Sequence, residues 1–421
     1  MIKVYPSVIN GSLTAYPSAE HAMKLMFAAS IPPTETTIKN VPDCRYVDIS
    51  IDCLTALGCR IERTREDDGR LTLVVYPFPK TTPVREINFN FRDCAAAAHF
   101  ITAICAAYGI KANCRAEGSL PRRQQISFTG RLALRGMVFS GFSYPLVMTG
   151  RLSGGDFEFR GDQGSQYISA LLMALPVLRE DSFIRITSPF TERAFLDITL
   201  DILKEFGITI EEREDGFFIP GRQRYISPGE LECENDWSLA SMWTTAAAAC
   251  ASEGGHIVVN GLPGDSHQNY RTASSIFPFL CQDFHEFNID ASEFPNLASI
   301  YAGFAVAKGV KLIVTGIPQL KDRETNRLRS MGVCFEAYGV EFQSDDNEFW
   351  IKGKEGGKYP ANMVLDTQDD PWIFMGIVLA SVVAKQPLVI KDEHEADTIY
   401  REFLSDFKSL GGKFEIIENR G

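Results

Sequence analysis

"LTALGCRIERTREDDGRLTLVV", Leu54 to Val75, reads as the end of a polar-faced helix, a glycine, a strand, a charged turn and a second strand. Gly58 falls where a helix C-terminus needs a left-handed residue, and apolar positions alternate with period two on either side of "REDDGR". The phrase recurs as "LKEFGITIEEREDGFFI" (Leu203–Ile219), "AYGVEFQSDDNEFWI" (Ala337–Ile351) and "FKSLGGKFEII" (Phe407–Ile417).

A second phrase interleaves with it. The segments "AEHAMKLMFAAS" from Ala19, "AAAAHFITAICAAYG" from Ala95 and "SQYISALLMALPVL" from Ser165 are rich in Ala and of helical length. So are "LASMWTTAAAACA" from Leu239, "NLASIYAGFAVAKG" from Asn296 and "PWIFMGIVLASVVAK" from Pro371. Each is apolar nearly all round, which predicts a buried helix. Repetition at a spacing of this size marks stacked supersecondary units. The expected fold is α+β: six βαβαββ units, three per domain, around clusters of buried helices.

At 421 residues the chain exceeds one ordinary core, so two domains are expected. A formal net charge of −12 argues against nucleic acid or an anionic membrane surface as partner. It leaves room for a small anion in a locally basic cleft. "MIKVYPSVING" carries no signal-peptide run, and Trp372–Ala384 is too short to span a membrane. Ten scattered cysteines without a CxxC pair read as reduced thiols, and the expected location is cytoplasmic. "KDEHEAD" (Lys391–Asp397) reads as a surface turn around His394, and "GDSHQNYR" (Gly264–Arg271) as an inter-strand loop. No metal and no organic cofactor is signalled: no P-loop, GxGxxG or HxxxH occurs.

The stretch from Tyr144 to Ile210, with "GDQGSQYISALLMALPVL" inside it, resembles the 5-enolpyruvylshikimate-3-phosphate synthase family, and the six-unit plan is that of enolpyruvyl transferases. "DRETNRL" (Asp322–Leu328) is similar to the family's Lys-Glu-Thr/Ser-Asp-Arg motif. The resemblance implies one lobe from 15–231 and a discontinuous lobe of 1–14 and 232–421, joined by two crossing strands, with a cleft that closes on ligand. It also implies phosphoenolpyruvate and shikimate 3-phosphate as small anionic substrates, and a monomer. By resemblance, Arg323, Glu324 and Asn296 lie at the reacting centre. Ser18, Lys24, Arg122, Arg123, Ser165, Gln166, Gln319 and Arg327 fall at substrate-binding positions, Arg122 and Arg123 being alternatives for one role. Rigid guanidinium forks suit a carboxylate-bearing phosphate ester, and Ser165 opens a helix whose N–H groups favour phosphate.

Several family positions are altered. In "YPSAEHAMK" Ala19 replaces the expected Lys, Glu20 a Ser, and Lys24 stands in for an Arg. "RDCAAAAHF" puts Asp93 for Asn, Ala95 and Ala96 for Gly-Thr, and His99 for an Arg; His99 reads as a core-facing helix residue. Glu192 takes a Ser position, and Phe195 the place of a nearby Tyr. Asn296 replaces the Asp of Pro-Asp, Pro371-Trp372 the His-Arg of Asp-His-Arg, and Asp397 a late Lys. An amide has no accessible protonation equilibrium, so general-base function is absent at Asn296. Three of five pocket cations are lost, on the order of 5 kcal/mol of binding at about 1.5–3 kcal/mol each. The resemblance therefore allows two readings, an impaired enolpyruvyl transferase or a re-purposed anion binder. The sister UDP-N-acetylglucosamine enolpyruvyl transferase needs a loop cysteine that Cys114 is misplaced to supply.

Overall fold

Chain punctuation places the core helices. Ser18 caps Ala19–Ala29 by accepting from the His21 N–H, and Asp236 caps Trp237–Ala249 by accepting from the N–H groups of Ser238 and Leu239. Asp370 does the same for Pro371–Ala380, where Pro371 occupies a position that needs no N–H. At the other ends, Gly58, Gly109 and Gly309 adopt the left-handed conformation that closes a helix. The remaining core helices are Ala95–Tyr108, Ser165–Ala174 and Ala298–Lys308. All six expected helices are thus present and buried.

The computed structural model describes the chain except residues 81–85, 163–164, 269, 323–325, 355–363, 383, 385, 392 and 418–421. It divides into an insert unit, Pro17–Glu234, and a terminal unit of Met1–Tyr16 with Asn235–Gly421. Three core helices belong to each.

Sheet order repeats with the sequence phrase. Glu86–Asn90 runs parallel to Lys111–Arg115, which pairs antiparallel with Leu146–Gly150, itself hairpinned to Met137–Phe139. Gly155–Phe159, Ser182–Ile186, Gly216–Ile219 and Glu211–Arg213 follow the same plan. The insert's third sheet borrows its first strand, Glu230–Glu232, from the far end of the insert, alongside Thr36–Val41, Leu71–Tyr76 and Arg60–Arg65.

In the terminal unit, Glu286–Asp290, Lys311–Thr315, Phe349–Lys352 and Glu341–Ser344 form a complete sheet. Another is closed by the chain's own start: Ile2–Tyr5 lies between Leu388–Ile390 and Lys413–Ile416. The last sheet departs from the expected repeat. Among the described residues it has two strands, Asn10–Thr14 parallel to His256–Asn260, and no hairpin. The reason is in the sequence: after Asn260 the glycine, strand, charged turn and strand phrase is missing, and the chain makes the short helices Tyr270–Ala273 and Phe277–Leu280 instead.

The terminal unit's core helices approach closely. A Cβ added at Gly376 would come 2.6 Å from the Ser299 carbonyl oxygen, and one at Gly303 would strike the backbone of Gly376. Only glycine permits that contact. Among the described residues no helix is long and apolar enough to cross a membrane.

Candidate active site

In the insert unit the first core helix carries the altered motif. Ala19 is buried in its first turn, and Glu20 and Lys24 stand one turn apart with Lys24 Nζ 3.0 Å from Glu20 Oε1. Lys24 is 2% exposed and also donates to the Phe195 carbonyl oxygen at 2.6 Å, with its ammonium 5.5 Å from the Phe195 ring centre. Burial pushes the Lys24 pKa down, and the Glu20 carboxylate opposes that shift. This ammonium is satisfied by the protein's own groups. The i,i+4 spacing of Glu20 and Lys24 was legible in the sequence; the contact with Phe195, 171 residues away, was not.

Next to Lys24, His21 Nδ1 accepts from the Glu234 N–H at 2.8 Å. Desolvation is the main cause that lowers its pKa to about 4. The helix Arg193–Glu205 packs against both the first and third core helices, and Thr199 Oγ1 sits 2.9 Å from Ser169 Oγ. Glu192, just before that helix, is buried and holds a left-handed φ of 61°. Ser165 is buried at the start of the third core helix, and Gln166 beside it is half-buried. Arg122 is exposed at the end of a short 3₁₀ turn, whereas Arg123 is half-buried. His99 is indeed a core residue, between the rings of Tyr167 and Phe128 with Nε2 3.3 Å from Gln125 Oε1.

The terminal unit builds a tighter cluster. Asn296 follows Pro295 in a 3₁₀ turn that leads into Ala298–Lys308. Arg327 opens the helix Arg327–Ala337, capped by Asn326. Arg327 Nε donates to Asp370 Oδ2 at 2.8 Å, and Arg327 Nη1 donates to Asn296 Oδ1 at 2.8 Å. Arg327 and Asp370 are 1% and 0% exposed, so this ion pair is sealed from water. The other Asp370 oxygen accepts from the N–H groups of Trp372 and Ile373. Two left-handed residues, Gln368 and Asp369, turn the chain into that cap. One carboxylate thus caps a helix and neutralises a guanidinium.

Gln319 is 5% exposed, and among the described residues neither its Oε1 nor its Nε2 has a hydrogen-bond partner. Arg323 and Glu324, expected at the reacting centre, lie outside the described residues. His394 is exposed in a turn with Nδ1 3.1 Å from Asp397 Oδ2. Among the described residues no group of three His, Cys, Asp or Glu side chains is placed to hold a metal ion.

Comparison with known proteins gives one answer. The family model for EPSP synthase (3-phosphoshikimate 1-carboxyvinyltransferase) matches residues 5–278. The 3-phosphoshikimate 1-carboxyvinyltransferase of Clostridium novyi (strain NT) is 26% identical, over 98% of this chain and 97% of that protein. Its counterpart from Saccharolobus solfataricus is 28% identical over 85% and 86%. Among solved structures, EPSP synthase from Acinetobacter baumannii superposes with a TM-score of 0.74 at 14% identity, covering 99% of both chains. The enolpyruvyl transferase NikO from Streptomyces tendae gives 0.72 at 12% identity over 98% of each. With its sixfold sheet plan and this match over more than half its length, the chain belongs to the EPSP synthase family.

Proposed function

We propose that this protein is an enolpyruvyl transferase of the EPSP synthase type whose turnover of phosphoenolpyruvate and shikimate 3-phosphate is strongly reduced. In that reaction a ring hydroxyl adds to the enol carbon of phosphoenolpyruvate and phosphate leaves, giving the enolpyruvyl ether. The hydroxyl must give up its proton, and a base is needed to take it. The observation that carries the proposal is Asn296: its Oδ1 accepts from Arg327 Nη1, so the amide is committed to orienting a guanidinium and cannot shuttle a proton.

Support for retained binding comes from Gln319. A buried amide with no partner costs about 1–3 kcal/mol, a cost that a polar ligand at this substrate-binding position would offset. Arg323, Glu324, Ser18, Arg122 or Arg123, Ser165 and Gln166 keep their proposed roles by resemblance. None of the ten cysteines is in a disulfide, which supports a reducing compartment such as the cytoplasm.

Phosphate release at saturating substrates tests the reading. General acid–base groups supply about 10²–10⁴-fold in rate, so release roughly a thousandfold below an intact family member is expected. Near-normal turnover would overturn it. Asn296→Asp should recover part of the rate.

A further inference from the structure

We propose that the strand His256–Asn260 is an open sheet edge that pairs with the same strand of a second copy of this chain. The repeat itself says what is missing. In the other two sheets of the terminal unit, the corresponding strands Lys311–Thr315 and Leu388–Ile390 are central, each with a parallel neighbour on one side and an antiparallel one on the other. Among the described residues, His256–Asn260 has only its parallel neighbour, Asn10–Thr14. Beyond that ladder and the Ala15 N–H that donates to the Asn260 carbonyl, its backbone makes no hydrogen bond to another described residue. His256, Val258 and Asn260 are exposed, Val258 at 43%, whereas Lys311, Ile313 and Thr315 at the matching positions are half-buried.

The outer hairpin strands of the other sheets mostly carry charges that discourage pairing, whereas the edges Asn10–Thr14 and Val364–Leu365 are uncharged. Arg60–Arg65 reads RIERTR, Glu211–Arg213 reads EER, and Lys413–Ile416 reads KFEI. Met137–Phe139 is uncharged but only three residues long. His256–Asn260, HIVVN, has no Lys, Arg, Asp, Glu or Pro in five residues.

A second copy suits this edge because the strand is complementary to itself. A two-fold axis at Val258 makes the pairing antiparallel, as the repeat requires, and opposes Ile257 with Val259 and His256 with Asn260. No like charges meet, and β-branched cross-strand pairs are favourable. The chain carries a net charge of −12, so an uncharged edge is where two copies can meet with least repulsion. A single strand pair buries less than a standard interface, so association is expected to be weak and concentration-dependent. The sequence reading expected a monomer; the truncated sheet is the reason to revise it.

Sedimentation of the full chain from micromolar to near-millimolar loading should show reversible growth from 46.8 kDa towards twice that mass. Val258→Lys sets two ammonium groups against each other across the axis and should abolish the larger species without changing the melting temperature. Opposed residues of an antiparallel pair lie within disulfide reach. Val258→Cys, made in a Cys281→Ser background to remove the exposed thiol, should therefore cross-link under mild oxidant. Ile416→Cys, on another edge and more exposed at 64%, should not. A monomer at every concentration, a dimer that survives Val258→Lys, or equal cross-linking at both cysteines would each overturn the proposal.

Discussion

A guanidinium sealed from water needs its countercharge from the same fold, and Arg327 receives it from Asp370. Removing one partner of such a pair leaves a buried charge uncompensated, at about 3–5 kcal/mol. Asp370→Asn keeps an acceptor for the helix cap and removes only the charge, so a loss near the lower figure, about 3 kcal/mol, is expected from urea unfolding. A loss below about 1 kcal/mol, the range of exposed pairs, would show that the pair is wet. His21 offers a pH test. Its pKa is lowered from 6.5 to about 4, so the unfolded chain takes up a proton first as pH falls. The contribution of His21 to stability is therefore full above pH 6.5, declines down to about pH 4 and is level below. His21→Asn keeps an acceptor for the Glu234 N–H but does not titrate. The wild type should lose up to about 3 kcal/mol relative to this variant across that window, and less to the extent that water reaches the partly exposed ring. Parallel stability–pH curves would exclude this origin. At this scale the sequence was half legible. It singled out Arg327 and Asn296 and read His99 as buried, but it did not reveal the Arg327–Asp370 pair or the hold of Phe195 on Lys24, because those partners are 43 and 171 residues apart and only the fold joins them.

At the scale of elements the sequence was far more legible, for a physical reason. Apolar helices and glycine-closed helix ends are local signals, and all six Ala-rich segments became core helices. What composition could not reveal was which small residues are contacts. Gly303 and Gly376 face each other across Ala298–Lys308 and Pro371–Ala380, and a Cβ on either meets backbone. Gly→Ala inside a helix normally stabilises by up to about 1 kcal/mol. Gly303→Ala should do the reverse and cost about 2 kcal/mol or more, because overpacking against backbone cannot relax by a rotamer change. Gly130, in the helix Ile126–Ala133, is the control: its Cβ would meet only Ile126 Cγ1 at 3.7 Å, so Gly130→Ala should be neutral or stabilising. Thermal melts of the two variants decide it, and a stabilised Gly303→Ala would mean that the helices do not touch there. The missing hairpin after Asn260 was visible only as a phrase that failed to recur. Its consequence, an unpaired edge, needs the sheet topology.

Taken whole, the molecule carries a net charge of −12, and the buried cations Lys24 and Arg327 are each engaged with one of its own carboxylates, Glu20 and Asp370. A protein built in this way gains little from anions in general, so any stabilisation by a phosphorylated or carboxylated ring compound reports a specific site. Gln319 separates that site from a merely structural remnant. If its buried amide waits for a ligand, Gln319→Leu removes an unsatisfied donor and acceptor and should raise the stability of the ligand-free protein by about 1 kcal/mol. The same change should erase the stabilisation expected of the wild type with shikimate 3-phosphate. At ten times its dissociation constant a ligand contributes about 1.4 kcal/mol, a shift of a few degrees at most in a chain of this size. Sulfate at equal ionic strength controls for screening. A destabilised Gln319→Leu would mean that the amide has a structural partner, and an undiminished shift would place the ligand elsewhere. Stabilisation gained without ligand together with response lost to ligand is the pair of results that a binding role for Gln319 requires.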